Sequence, residues 1–213
     1  MVLFTAITGK GVTGRWSGAL IDDRNRMSLS RFQMLTWMIL ILSGLLAASL
    51  SNIASGQPDP LSIKIPADLW ALMGISTTSL VGSPLIKSTK HPRKPDGVEK
   101  ERTFELLEKK GIDRKELDIK GQIVTYREPK MASISDLFMG EETGNAAHLD
   151  LGKVQMFYFT LILALVYAVS LGYMFLTTPI KEFPDLHPSM VWLLGISHGG
   201  YLLHKAIPHS RTQ

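Results

Sequence analysis

The chain has 213 residues, 45% of them hydrophobic, no cysteine and a formal net charge of +4. Without cysteine there are no disulfides, thiolate nucleophiles or cysteine-ligated zinc or iron–sulfur centres. Mean hydropathy is only slightly positive, but it averages very apolar segments with charged ones, so local windows decide the class. The basic residues lie beside the apolar segments, where membrane orientation and anionic lipid account for them without a nucleic-acid partner.

Residues 1–15 are glycine-rich and read as mobile. Gly9, Lys10, Gly11 and Gly14 interrupt them before any long apolar core, unlike a cleavable signal. Trp16 to Ile21 reads as an interfacial segment anchored by Trp16. The stretch Asp22 to Asn25 reads as a polar turn, with Ser28 or Ser30 as the N-cap of the first span. Phe32 to Leu50 carries no formal charge and exceeds the roughly 18 apolar residues that mark a membrane-spanning helix. Pro58, Pro60 and Pro66 then fix an irregular loop, and Leu69 to Ile86 forms a shorter, more polar second span.

The insert from Lys87 to Lys130 is the one soluble piece. His91 to Gly97 is a linker, Glu99 to Lys110 a helix, Ile112 to Ile119 alternates, and Gln122 to Tyr126 has the character of a short strand. Its apolar residues are too few for a core of its own, so it is expected to pack on the membrane bundle or on a partner. Its charged helix reads as a solvated face, with docking as the alternative. Beyond it come a short amphipathic segment, Ile134 to Phe138, a polar turn, Glu141 to Asn145, and Asp150 as a cap. Val154 to Ile180 is again free of charge, Pro179, Pro184 and Pro188 mark a second loop, and Met190 to Leu203 is a fourth apolar segment.

These halves repeat. Arg31-Phe32-Gln33-Met34 returns as Lys153-Val154-Gln155-Met156 after 122 residues, and Leu72-Met73-Gly74-Ile75-Ser76 as Leu193-Leu194-Gly195-Ile196-Ser197 after 121. The expected fold is therefore an all-α integral membrane protein with four transmembrane helices in two tandem repeated hairpins. Its segments are an N-terminal and interfacial part (1–27), hairpin 1 (28–87), a cytoplasmic insert (88–130), an interfacial segment plus hairpin 2 (131–207), and a tail (208–213). Lys10, Arg15, Arg24, Arg26 and Arg31 precede the first span, Lys87, Lys90, Arg93 and Lys94 lie after the second, and each short loop has one lysine, Lys64 or Lys181. By the positive-inside rule, both termini and the middle loop are cytoplasmic. With both hairpins entering from one side, the pseudo-twofold axis runs along the membrane normal, unlike that of inverted-repeat transporters.

Small residues mark the shorter spans. Gly74, Gly195 and Gly199, with Ser197, have the spacing of close helix packing. Ser76, Ser79 and Ser83, at i, i+3 and i+7, are packing residues too, or else line a narrow polar path. His198 is the one strongly titratable side chain within a span. It reads as a hydrogen-bonded structural histidine, with proton handling or ligation of a haem or chlorophyll-type pigment as alternatives. Ser197, Gly199 and Gly200 would then leave room for a flat ring. Gln33 and Gln155 are expected to make interhelical hydrogen bonds, and Arg31 and Lys153 to snorkel to the surface. Asp22/Asp23 and Glu141/Glu142 lack the spacing of a calcium loop and read as turn and capping residues. No catalytic motif is present, so no enzyme activity, metal or cofactor is expected.

The stretches SLSRFQMLTW (28–37), LWALMGISTTSLVGSPLI (69–86), SDLFMGEETGN (135–145) and LLGISHGGYL (193–202) resemble an uncharacterised group of bacterial inner-membrane proteins with two tandem transmembrane hairpins. The resemblance covers most of the chain outside the middle insert. It implies a multi-pass protein of the bacterial inner membrane and carries no activity. The functional expectation is a non-enzymatic, self-associating scaffold or anchor in the lipid bilayer. Its insert would engage a cytoplasmic or membrane protein complex. The alternatives are an oligomeric pore lined by the second span and a pigment-binding accessory subunit using His198.

Overall fold

A computed structural model describes residues 1–211. Its main helices are α1 (Val2–Thr13), α2 (Leu29–Ala54), α3 (Ala67–Ser88), α4 (Gly97–Lys109), α5 (Leu151–Met174) and α6 (Pro188–Ala206), with one hairpin of β1 (Leu117–Lys120) and β2 (Ile123–Tyr126). Helices α2, α3 and α5 are long and apolar enough to cross a membrane; α6 is shorter and is not among them. Helix α2 packs on α3 and α5, and α6 packs on both as well, which closes a ring of four.

The inward stripes explain the ring. Buried residues on α3 are Leu69, Leu72, Ser76, Ser79, Ser83 and Lys87; on α2 they include Gln33, Trp37, Ile41, Gly44, Ala48 and Asn52. Steps of three and four keep one face inward, as in interlocking helix packing. Bulky apolar residues fill the centre: Trp37, Ile41, Leu69, Leu72, Leu163, Tyr167, Leu171 and Leu194. At Gly44 an added Cβ would sit 3.3 Å from the Phe183 ring and 3.4 Å from Leu171, so the loop after α5 packs tightly against α2 there.

The two proline-rich loops hold each other. Lys64 donates its N–H to the Lys181 carbonyl and accepts from Phe183. Asn52 clamps the second loop from the end of α2: Nδ2 donates to the Ile180 carbonyl at 2.8 Å, and Ile180 N–H donates back to Oδ1 at 2.9 Å.

The other end of the bundle carries a folded polar head. The expectation that the insert lacks a core is met by borrowing. Phe104, Leu107, Leu117, Val124 and Tyr126 pack with Met139, Ala146 and Ala147, which lie beyond the expected boundary at residue 130. The hairpin turns tightly at Gly121, where φ is +61° and a Cβ would collide with the Lys90 and His91 carbonyls. The segment 208–211, expected as a tail, is stitched into this head: His209 N–H donates to Glu142, Arg211 N–H to Glu99, and Gly144 N–H to the Ser210 hydroxyl. The expected mobile N-terminus is instead α1. It seats where Gly9 and Gly18 approach so closely that a Cβ on either would clash with the other's backbone neighbourhood.

Asn52→Ala is expected to cost about 2–3 kcal/mol, because two buried backbone groups of Ile180 lose their partner. Thermal unfolding in nanodiscs measures the loss. Limited proteolysis should show faster cutting within residues 57–66 and 177–187. Unchanged melting and cutting would mean that the loops do not depend on this clamp.

Candidate functional site

The densest chemistry lies where the head meets the bundle. The turn after Ile21 is closed by backbone pairing of Ile21 with Met27, with Asn25 at a φ of +56°. It presents Asp22, Arg24 and Arg26 inward. The turn at 141–145 is folded by Asn145, whose Oδ1 accepts the N–H groups of Glu141 and Glu142, each at 3.0 Å. It presents its two carboxylates to the helix ends.

Glu141 is the hub. Its Oε1 accepts from Lys153 Nζ at 2.9 Å, its Oε2 is 2.6 Å from Lys205 Nζ outside hydrogen-bond geometry, and Arg24 Nη1 is 3.5 Å away. Lys205 also donates to the hydroxyls of Ser83 and Tyr201. Asp22 pairs with Arg24 at 2.7 Å and with Lys87 at 2.9 Å, and Lys87 reaches Asp23 at 3.3 Å. Beside this group, Lys90 pairs with Glu142 at 2.5 Å and donates to the Lys205 carbonyl. Arg26 pairs with Asp136, which also accepts from Tyr126 Oη at 2.9 Å. Apart from Asp23, all these charged side chains are buried.

The charges do not cancel evenly. Around Glu141 and Asp22 lie four buried cations, Arg24, Lys87, Lys153 and Lys205, with the half-exposed Asp23 as the third carboxylate. Burial alone would raise the Glu141 carboxyl, but Arg24, Lys153, Lys205 and Lys87 hold it well below the usual range. Burial likewise opposes ionisation of Asp22, and Arg24 and Lys87 outweigh it. Burial pushes the Tyr126 phenol up to about 12. The cavity beside the hub is about 20 Å³, too small for anything larger than a water molecule. Around Glu141 itself the network therefore holds charge in place and leaves no room for a ligand larger than water.

The expected site residues fall on both faces of their helices. Ser76, Ser79 and Ser83 all face inward. Ser79 Oγ lies 2.6 Å from His198 Nδ1, while His198 Nε2 is buried with no partner among the described residues. Ser197 is buried beside it. Gln33 is buried and donates to Thr160 Oγ1 at 2.8 Å, whereas Gln155 is exposed, so the two amides do not meet. Gly74 and Gly199 face outward with nothing within 4 Å of an added Cβ, and Gly195 meets only Ile75 at 3.6 Å. The close packing expected of these glycines is not made within one chain. His198 is buried, whereas Gly199 and Gly200 are exposed with nothing within 4 Å of an added Cβ. Among the described residues no group of three His, Asp or Glu side chains is arranged to hold a metal.

Sequence reasoning missed the hub. Lys153 read as a snorkelling anchor, yet it is 3% exposed and paired with Glu141. Glu141, Glu142 and Asp22 read as turn formers, yet they neutralise the basic ends of α3, α5 and α6. The available signal was acidic pairs placed next to spans that each end in a lysine.

No family model, curated protein or solved structure matches the chain.

Both hub carboxyls are held below their unfolded pKa of about 4, so their stabilisation is complete above that pH and drains away on acidification below it. Glu141→Gln leaves three buried cations short of a partner and is expected to cost about 3–5 kcal/mol at pH 7. In thermal scans the gap between parent and variant should narrow as pH falls below about 4. Equal melting at pH 7 would show that the hub carries no net interaction.

Proposed function

We propose that the protein is a non-enzymatic scaffold or anchor of the bacterial inner membrane, with a rigid cytoplasmic head that engages a partner complex. In this reading α6 is the fourth span, and both hairpins enter from the head side. The basic residues flanking α2 and α3 support that orientation, as does the single lysine in each opposite loop. The observation that carries the reading is the buried ionic hub. A head joined to all four helix ends by buried charges cannot swing freely, and its surface keeps a fixed pose above the bilayer. The outer face of α4, with Glu101, Arg102, Glu105, Glu108 and Lys109, is exposed, and the ion pair of Glu101 with Arg114 leaves both side chains about half exposed. Gly74 and Gly199 offer bare backbone to the helix of a second copy, which supports self-association.

One observation favours a second reading. The Ser76–Ser79–Ser83 row faces α6, and the unpartnered Nε2 of His198 lies beside it, which is the beginning of a polar path for a small ion or proton. Within one chain that row is occupied by its own contacts to His198 and Lys205.

The two readings separate cleanly. A photo-crosslinker at Glu101, Glu105 or Lys109 in the native membrane should trap one defined protein in the scaffold reading, and the yield should fall at least about fivefold when Glu141→Gln loosens the head. Ser79→Leu should leave that yield unchanged. If the crosslinkers trap nothing while Ser79→Leu abolishes ion flux into proteoliposomes, the scaffold reading fails and the path stands. A visible absorption band lost in His198→Ala would replace both with a pigment protein.

A further inference from the structure

A cleft of about 360 Å³ opens between the head-side ends of α2 and α3. That is within the size range of small-molecule sites. Its lining is ordered along the helix axes. At the head end Lys87 Nζ holds buried Asp22 and exposed Asp23, and Asp23 forms the rim. The contact of Thr77 Oγ1 with Met34 at 3.5 Å sets the register of the two antiparallel helices further from the head. From the head end toward the middle of the bundle the cleft therefore runs past Asp23, then Ser28, Ser30 and Arg31, then Met34, Leu35 and Leu80.

The middle tier is electropositive and unsatisfied. It is the start of the 26-residue helix α2, whose N-cap Ser28 makes no side-chain capping bond. The first amides and the helix dipole therefore favour an anion there. Ser30, which lines the cleft, is 1% exposed, and its hydroxyl has no hydrogen-bond partner among the described residues. Arg31 beside it makes no ion pair among the described residues. Lys87 adds no free charge, since Asp22 and Asp23 neutralise it. The rim is the reverse: Asp23 is 58% exposed and meets Lys87 through one oxygen only, which leaves the other open.

A pure anion would be attracted by Arg31 and repelled by Asp23; a pure cation would meet the opposite problem. A ligand with both charges in the right order satisfies both tiers. We propose that this cleft binds a zwitterionic phospholipid with a primary amine, of the phosphoethanolamine class. Its phosphate sits at Ser30, Arg31 and the start of α2, its ammonium at Asp23, and its first methylenes on Met34, Leu35 and Leu80. The primary amine matters because it donates hydrogen bonds to a carboxylate, which a trimethylammonium group cannot. The site requires α2 and α3 to lie in a bilayer and is independent of the scaffold reading.

The test uses the full chain, purified and stripped of lipid in detergent. Native mass spectrometry monitors titration with short-chain phosphatidylethanolamine, phosphatidylglycerol, phosphatidylcholine and soluble phosphoethanolamine. Phosphatidylethanolamine is expected to bind about tenfold more tightly than either other lipid, the worth of one charge-assisted hydrogen bond. Arg31→Gln should weaken it by a similar factor. Asp23→Asn should erase the preference over phosphatidylglycerol. Arg31→Gln should melt with the parent, since Arg31 is unpaired among the described residues; Asp23→Asn also removes a partner of buried Lys87, so its binding is read at a temperature where thermal scans show it folded. Soluble phosphoethanolamine binding as tightly as the lipid would uphold the headgroup chemistry and assign it to a soluble source. Equal binding of all three lipids, a preference for phosphatidylglycerol, or indifference of phosphatidylethanolamine to both substitutions would overturn the proposal.

Discussion

One carboxylate, Glu141, sits among Arg24, Lys153 and Lys205, and the joint between head and bundle turns on it. Each cation comes from a different part of the chain: the turn before α2, the start of α5 and the end of α6. Asp22 extends the set to Lys87 at the end of α3. Taking these charges out of water is costly, and their mutual attraction repays that cost only when geometry is good. The net gain in stability is therefore modest compared with the penalty for any other arrangement. A slipped helix or displaced turn would leave a bare charge in a dry interior. The hub acts above all as a device for registering four helix ends and two turns.

That role explains the head. A short insert with few apolar residues cannot fold by burial alone, and it does not have to. Residues 139–147 supply the missing part of its core and carry Glu141 and Glu142 into the hub. The segment that completes the small hydrophobic core thus also joins it to the bundle. Residues 208–211 close the arrangement by laying their backbone across the same turn. At the far end neutral groups suffice: Asn52 and the paired loops join the two hairpins without a buried charge.

Much of this was legible in the sequence. Long charge-free runs, the proline-rich loops and the Asp150 cap are one-dimensional signals, because helix length, helix termination and first-turn capping depend on near neighbours. What a lysine does at a helix end does not. Lys153, Lys87, Lys90 and Lys205 give the same positive-inside pattern whether solvated or buried, and only the fold brings the carboxylates to them. Facing was equally hidden. Gln33 and Gln155 lie in similar sequence stretches, yet one is buried and the other exposed, because each helix turns toward its own neighbours. Gly74 and Gly199 fail as intrachain packing residues for the same reason. The inward serine row was readable, since its spacing keeps one face, although its partner on α6 was not.

Hydrogen–deuterium exchange of the full chain in nanodiscs tests the joint most directly. If the hub fuses head and bundle, the amides of 117–126 and 139–147 should be protected to the same degree as the adjoining helix ends at 83–88 and 199–205, and should open together with them. A head that exchanges within seconds above a protected bundle would show that the two are only tethered, and the account of a registered, rigid platform would fall.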